Sequence, residues 1–136
     1  IRGNMKTYFC VTAVVKHKDK VLILKKASND YNYPNRWSFC SGYAKEFEAA
    51  EDGVLREIKE ETGLDAKIVK KGKIVEIPDK VKDKRWVVAT YLCEADNADV
   101  KLCHENADFK WVSVDKLKDY DFVPGLSYSL DCLGLS

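Results

Sequence analysis

The chain has 136 residues, the length of a single domain, and we expect residues 1–136 to form one. Hydrophobic residues make up 46% of it and charged residues 33%, so it can bury a core, and no apolar run approaches the roughly 20 residues that a membrane span needs. The formal net charge of +1 gives no reason to expect nucleic acid as the main partner.

The five cysteines are scattered along the chain, and no two of them form a C-x-x-C pair. An odd number of scattered cysteines indicates reduced thiols. The N-terminal sequence IRGNMK lacks the apolar segment of a signal peptide, so we expect a cytoplasmic protein. We also expect Met5 to be the natural start of the chain, with residues 1–4 as an addition before it.

Two β-rich runs surround a polar turn at residues 17–20 and predict a hairpin over residues 8–26. A loop rich in Asn, Asp and Pro follows, and a short extended piece ends at Gly42. The best helix is predicted from about Glu46 to Thr62, with Gly63 at the C-terminal cap. Its apolar side chains recur at helical spacing at Phe47, Ala50, Val54, Leu55 and Ile58.

The second half of the chain alternates between β-rich and helical patterns. Strands are predicted at residues 66–77 and 85–95, on either side of a charged turn, and again at residues 108–114. Short helices are predicted at residues 114–120 and 125–133. The sequence therefore predicts an α/β fold with one long helix.

The long helix carries three glutamates, Glu57, Glu60 and Glu61, near its C-terminus, the unfavourable end for negative charge. At 100° per residue, Glu61 falls within the apolar arc of the helix, where an unpaired carboxylate is costly. Mg²⁺ and Mn²⁺ prefer carboxylate oxygens and often bind substrate phosphates as well, so a divalent cation would resolve the conflict. The alternative is a solvated charged face on which Arg56 pairs with Glu60 or Asp52.

The stretch from Gly42 to Leu64 resembles the Nudix box, whose pattern is G-x5-E-x7-R-E-U-x-E-E-x-G-U, with U a bulky aliphatic residue. Ile58 and Leu64 fill two aliphatic positions. The literal matches are Gly42, Glu48, Arg56, Glu57, Glu60, Glu61 and Gly63. The resemblance implies an α/β/α sandwich with a mixed β-sheet.

The resemblance also implies an Mg²⁺- or Mn²⁺-dependent pyrophosphohydrolase that cleaves a nucleoside diphosphate linked to another moiety. It implies that Glu57, Glu60 and Glu61 hold the metal with the backbone carbonyl of Gly42. Arg56 would orient these carboxylates and belong with Glu57 and Glu60 to the catalytic group. Glu48 would reach the substrate site from the start of the helix, directly or through water.

Further candidates for the site lie outside the box. Glu105 is a candidate base or further ligand, or else a solvated loop residue. Lys26 is a candidate for binding phosphate, and its alternative is a solvated strand end. Trp37 is a candidate for stacking on a base or sugar, as are Tyr31, Tyr33 and Trp86, although aromatic side chains near strand ends often serve only packing.

The substrate stays open between several nucleotides. Pro78 lies 15 positions after Gly63, a spacing associated with members that cleave ADP-ribose, and it slightly favours ADP-ribose or a nucleotide sugar. Nucleoside triphosphates come next, while dinucleoside polyphosphates and capped RNA remain further alternatives. Two alternatives from other classes are a non-catalytic nucleotide-binding module and a structural domain that contacts a basic partner. A homodimer is also open, because many family members dimerise.

Overall fold

The structure, a computed structural model, describes residues 5–135, so the predicted addition at residues 1–4 lies outside the described residues. Strands and helices follow one another as β1 (Lys6–His17), β2 (Lys20–Lys26), β3 (Trp37–Ser38), β4 (Cys40–Tyr43), α1 (Ala50–Thr62), β5 (Ala66–Asp79), β6 (Lys84–Ala95), β7 (Asn106–Val112), a 3₁₀ helix (Val114–Asp119) and α2 (Leu126–Cys132).

The strands form one mixed sheet in the order β3-β2-β1-β6-β5, with β4 also paired to β1 and β7 to β2. β1 and β6 are parallel along almost their whole length, from Lys6 opposite Lys84 to Lys16 opposite Glu94. The other pairs are antiparallel, including the predicted hairpin of β1 and β2. Because β1 lies in the middle of the sheet, its apolar run is buried on both faces.

Successive side chains of a strand point to opposite faces of the sheet, and here they build two cores. On one face, Val11 and Ala13 of β1 pack with Val54 and Ile58 of α1. On the other face, Val14 of β1 lies in a second apolar cluster, which the 3₁₀ helix and the segment around α2 complete. Helices therefore cover both faces, and the expected α/β/α sandwich with a mixed sheet is confirmed.

Helix α1 begins at Ala50, and the expected start at Glu46 was wrong. The helical spacing of apolar residues predicted that Phe47 would lie on the buried side of the helix. It is instead fully exposed and has a left-handed backbone with φ of 64°. The chain turns there because Glu48 folds back, so that its Oε1 accepts a hydrogen bond from the backbone N–H of Lys45 at 3.1 Å. Gly53 leaves room for this carboxylate, since a Cβ there would lie 2.9 Å from Glu48 Oε1.

The C-terminal cap expected at Gly63 is confirmed. Gly63 ends α1 in a left-handed conformation, and its backbone N–H donates to the carbonyl of Lys59. The five cysteines are free thiols, of which Cys40 and Cys93 are buried. Among residues 5–135, no helix is long and apolar enough to cross a membrane.

Candidate active site

A cavity of about 550 Å³ lies beside the C-terminal half of α1. One end is charged, and it brings together Glu57, Glu60, Glu61, Arg56, Lys26 and Glu105. The other end is apolar and aromatic, and it is lined among others by Ile77, Trp86, Val88, Phe122 and Leu126. The cavity thus joins a polar end, suited to charged groups, to an apolar end of the kind that binds flat rings.

Arg56 lies at the centre of the charged end and contacts three carboxylates. Its Nε and Nη2 donate to Glu48 at 2.7 and 2.9 Å, a bidentate pair. Its Nη1 donates to Glu57 Oε2 at 2.9 Å and to Glu60 Oε1 at 3.0 Å. The hydrogen bonds to Glu48 and Glu57 raise the pKa of the Arg56 guanidinium, with the Glu48 bond contributing most. Arg56 therefore contacts Glu57 and Glu60, two of the carboxylates it was expected to orient, and its role stays a prediction.

Gly42 lies against the carboxylate of Glu57, where β4 passes α1. A Cβ at this position would overlap both carboxylate oxygens of Glu57. Only glycine lets the strand approach the helix so closely, and the close approach keeps Glu57 at the cavity wall. The side chain of Glu57 is largely buried, and burial raises its pKa more than its bond to Arg56 lowers it.

Glu61 is the most buried acidic side chain of the charged end, with 8% of its surface exposed. Burial, helped by the negative charge of Glu57, raises the pKa of Glu61 to about 8. The cation of Lys26 and the backbone N–H of Ser41 act against this rise, whereas Glu105 adds to it. The inward direction that the helical wheel predicted for Glu61 is confirmed.

Lys26 and Glu105 both line the charged end of the cavity. They come from neighbouring strand ends, because the backbone N–H of Ala27 donates to the carbonyl of Glu105 at 3.2 Å. Lys26 supplies a positive charge near Glu61, and Glu105 supplies a further carboxylate. Both were named from the sequence as candidates, and their roles stay predictions.

Trp37 does not line the cavity, and the expectation that it stacks on the substrate was wrong. It is 9% exposed, packs in the second core and contacts the ring of Tyr120 edge-on at 5.4 Å. Its place at the start of β3, paired with Lys25, turns the indole into the core. Glu48 is likewise absent from the cavity wall, because Arg56 and the Lys45 N–H hold its carboxylate.

The fold and the charged cavity agree with a match to a known protein family, because the NUDIX domain matches residues 6–131. The chain belongs to the NUDIX family. The resemblance to Nudix hydrolases that the sequence indicated is thereby confirmed at the level of the family.

Known Nudix proteins resemble the chain along most of its length. It is 28% identical to the nucleoside triphosphatase NudI of Escherichia fergusonii, over 92% of this chain and 95% of that protein. The MutT protein from Methanosarcina mazei superposes with a TM-score of 0.83 at 23% identity, covering 98% of this chain and 94% of that one. An ADP-ribose pyrophosphatase from Streptococcus suis superposes with a TM-score of 0.70 at 25% identity, covering 94% and 87%.

The carboxylates of this Nudix chain suit a hard divalent cation by their chemistry. Glu57, Glu60 and Glu61 present carboxylate oxygens, the atoms that such a cation prefers, on one wall of the cavity, and Gly42 leaves space there. Among residues 5–135, no three His, Cys, Asp or Glu side chains already stand grouped around a metal position. The carboxylates of Glu57 and Glu60 instead accept hydrogen bonds from Arg56. To bind a cation, they must either break these hydrogen bonds or bind the cation through the oxygen atoms that Arg56 does not contact.

One part of the Nudix cavity was not predicted from the sequence, namely the segment of residues 122–126 before α2. This segment is fixed to β3, because Phe122 bridges to Trp37 and its carbonyl accepts a hydrogen bond from Arg36 Nη2 at 2.6 Å. No local pattern identifies such residues, since their partners lie about 86 positions away in the chain.

Proposed function

We propose that the protein is an Mg²⁺- or Mn²⁺-dependent pyrophosphohydrolase that cleaves a phosphoanhydride bond of a small nucleotide. The observation that carries this proposal is the buried carboxylate of Glu61 beside that of Glu57 at the cavity wall. Burying one carboxylate next to another is costly unless a cation is present. Arg56 does not offset this cost for Glu61, because it donates its hydrogen bonds to Glu57 and Glu60 instead.

Glu57, Glu60 and Glu61 would hold the metal, and the backbone carbonyl of Gly42 would complete the set. When bound, a divalent cation neutralises phosphate charge and makes a bound water more acidic. The low exposure of Glu61 limits competition from solvent, which strengthens its interaction with any cation nearby.

The remaining charged residues act on the substrate and on the carboxylates. Lys26 binds a phosphate oxygen, because it is the cation that faces Glu61 across the charged end. Arg56 keeps Glu57 and Glu60 in place through Nη1, while Glu48 fixes the other edge of its guanidinium. Glu105 takes the proton of the attacking water, a role open to a carboxylate that lines the same cavity.

Nucleoside triphosphates are the first substrate class in this proposal, because relatives that match nearly the whole chain are named nucleoside triphosphatases. ADP-ribose is the second class, supported by the likeness to the ADP-ribose pyrophosphatase. The spacing of Pro78, which favoured ADP-ribose, gives less support, since Pro78 pairs with Arg85 in the sheet and does not line the cavity.

A substrate panel tests the proposal. Nucleoside triphosphates, ADP-ribose, nucleotide sugars and dinucleoside polyphosphates are each incubated with Mg²⁺ and with Mn²⁺, and the released products are identified. We expect turnover of at least one class that stops in excess EDTA. Turnover that continues in EDTA would overturn the metal dependence. Nucleotide binding without turnover of any substrate would support a non-catalytic binding module instead.

A further inference from the structure

The aromatic end of the cavity contains a hydrogen-bond donor without a well-aligned acceptor. Trp86 lines this end, and its indole Nε1 is buried beside the hydroxyl of Tyr33, without the geometry of a full hydrogen bond. Most buried polar groups in proteins are paired, so an unpaired N–H beside a cavity indicates a place for a ligand atom. By contrast, the indole N–H of Trp111, outside the cavity, donates to the carbonyl of Ala98 at 3.2 Å.

The ring of Trp86 is held so that its N–H keeps one direction. Tyr8, on the adjacent parallel strand, packs against it at 5.3 Å between ring centroids, and Tyr43 stacks at 6.2 Å. The ammonium of Lys84 lies 5.7 Å from the centre of the indole. A side chain fixed by three neighbours does not turn to find another acceptor.

Tyr33 is the side chain that covers this donor in the structure. Its hydroxyl donates to Asp79 Oδ2 at 3.2 Å, and it lines the same cavity. Burial and Asp79 raise the pKa of the Tyr33 phenol, and a weak hydrogen bond from the indole N–H of Trp86 acts to lower it. The other contacts of this loop with the β6 end of the sheet come from long, flexible lysine side chains: the ammonium of Lys82 lies 5.4 Å from the centre of the Tyr33 ring, and Lys84 Nζ lies 3.4 Å from Asn32 Oδ1. Such a loop can move aside at low energetic cost.

We propose that Trp86 is a specificity-determining residue, whose indole N–H donates a hydrogen bond to an acceptor atom of the nucleotide base when Tyr33 moves aside. The inference rests on the proposed function, since it takes a nucleotide as the substrate. The charged end then holds the phosphates, and the base enters the end lined by Ile77, Val88 and Phe122. A base offers ring nitrogen or carbonyl acceptors at its edge, whereas a ribose phosphate without a base offers none there.

The first test observes the donor itself and needs neither metal nor turnover. The protein has three tryptophans, so a ¹⁵N-labelled sample gives three indole N–H signals by NMR, and Trp86→Phe and Trp111→Phe assign two of them. AMP, GMP, CMP and UMP are titrated separately in EDTA, with ribose 5-phosphate as the matched probe without a base. We expect at least one monophosphate to move the Trp86 signal downfield and ribose 5-phosphate to leave it unchanged.

Two results would overturn the inference. One is a Trp86 signal that no monophosphate moves, or that ribose 5-phosphate moves equally. The other is a Tyr33→Phe variant whose ligand-free Trp86 signal already differs from the wild type as much as the nucleotide shift, because Tyr33 would then be the acceptor. If the signal shifts and no nucleotide is ever hydrolysed, the proposed function fails and the inference stands. If a nucleotide is hydrolysed and no shift occurs, the inference fails and the proposed function stands.

The second test uses kinetics on the substrate that the panel identifies. Trp86→Phe keeps an aromatic ring and removes only the donor, so we expect KM to rise about two- to tenfold with kcat little changed, the range of one neutral hydrogen bond. Trp111→Phe, the matched control, should leave both constants at the wild-type values. An unchanged KM in Trp86→Phe would contradict the inference, as would an equal rise in both variants.

Discussion

Glu48 binds Arg56 with both of its carboxylate oxygens, Oε2 accepting from Nε at 2.7 Å and Oε1 from Nη2 at 2.9 Å. The pair joins the loop before α1 to the middle of the helix, and it leaves Nη1 free to donate to Glu57 and Glu60. Glu48 therefore acts on the candidate metal carboxylates through Arg56, without contact with the cavity.

Glu48→Gln should weaken this bidentate pair and lower kcat/KM roughly ten- to hundredfold, because small displacements of catalytic groups are costly. Steady-state kinetics on the substrate from the panel measures the effect. The hydrogen bonds from Arg56 hold the pKa of Glu48 at about 2, below its usual value. A carboxyl with a lowered pKa stabilises the fold above the pKa of the unfolded chain and loses that contribution as the pH falls toward 2.

Thermal unfolding between pH 6 and pH 2 checks the sign of the Glu48 effect. The difference in Tm between wild type and Glu48→Gln should be largest near pH 6 and should shrink as the pH approaches 2. A difference that stays constant over this range would mean that the charge of Glu48 does not contribute to stability.

Glu57→Gln should lower kcat roughly a hundredfold or more and weaken Mg²⁺ binding, because it removes a charged oxygen ligand from the cavity wall. Circular dichroism should show a folded protein. Glu51→Gln is the matched control, since Glu51 lies on the same helix but pairs with Lys71 at 3.0 Å and does not line the cavity. Wild-type rates in Glu57→Gln would show that the metal ligands are wrongly assigned.

Gly42→Ala should lower kcat by a similar factor, because the added Cβ overlaps the carboxylate of Glu57 and must push it from the wall. A double-mutant cycle tests this cause. If the methyl group acts through Glu57, then Gly42→Ala adds little to the loss already present in Glu57→Gln. Full additivity of the two losses would assign another role to Gly42.

Glu61→Gln should stabilise the metal-free protein at pH 8. Burial raises the pKa of Glu61 from 4.5 to about 8, so the folded state binds a proton that the unfolded chain releases. The associated stability is fully present below about pH 4.5 and is lost as the pH rises through 8. Since one pKa unit corresponds to about 1.4 kcal/mol, we expect a gain of at least about 1 kcal/mol.

Urea unfolding in EDTA at pH 5 and at pH 8 measures this effect. The advantage of Glu61→Gln over wild type should grow between the two pH values. Added Mg²⁺ should reverse the order at pH 8, because a cation stabilises only the protein that retains the carboxylate. Equal stability of the two proteins at both pH values would mean that burial does not destabilise the charged form of Glu61.

Phe47→Gly should stabilise the protein by up to about 1 kcal/mol, because a left-handed backbone is costly for every residue except glycine. Phe47 has φ of 64° and a fully exposed ring, so its removal leaves no hole in the core. Phe47→Ala is the control, since it removes the ring and keeps the strain, and its unfolding midpoint should not rise. A loss of stability in Phe47→Gly would show that the ring makes a contact that its exposure conceals.

The sequence alone determined the features that depend on neighbours along the chain. The spacing of Gly42, Arg56 and Gly63 identified the box. The helical period of 3.6 residues was enough to predict that the side chain of Glu61 points inward. The hairpin of β1 and β2 was equally local, since a two-residue turn separates its strands. These features follow from backbone geometry, which a short segment carries with it.

Only the tertiary structure decided which distant side chains meet. The pairing of β3 with β2 buries Trp37 in the core. The hydrogen bond from the backbone N–H of Lys45 to the Glu48 carboxylate makes the chain turn, so that α1 begins only at Ala50. The parallel pairing of β1 with β6 brought Tyr8 beside Trp86, 78 positions later, at the aromatic end of the cavity. Such contacts depend on strand order and on the crossing of chain segments, and the free energy that selects them comes from burying surface contributed by the whole domain.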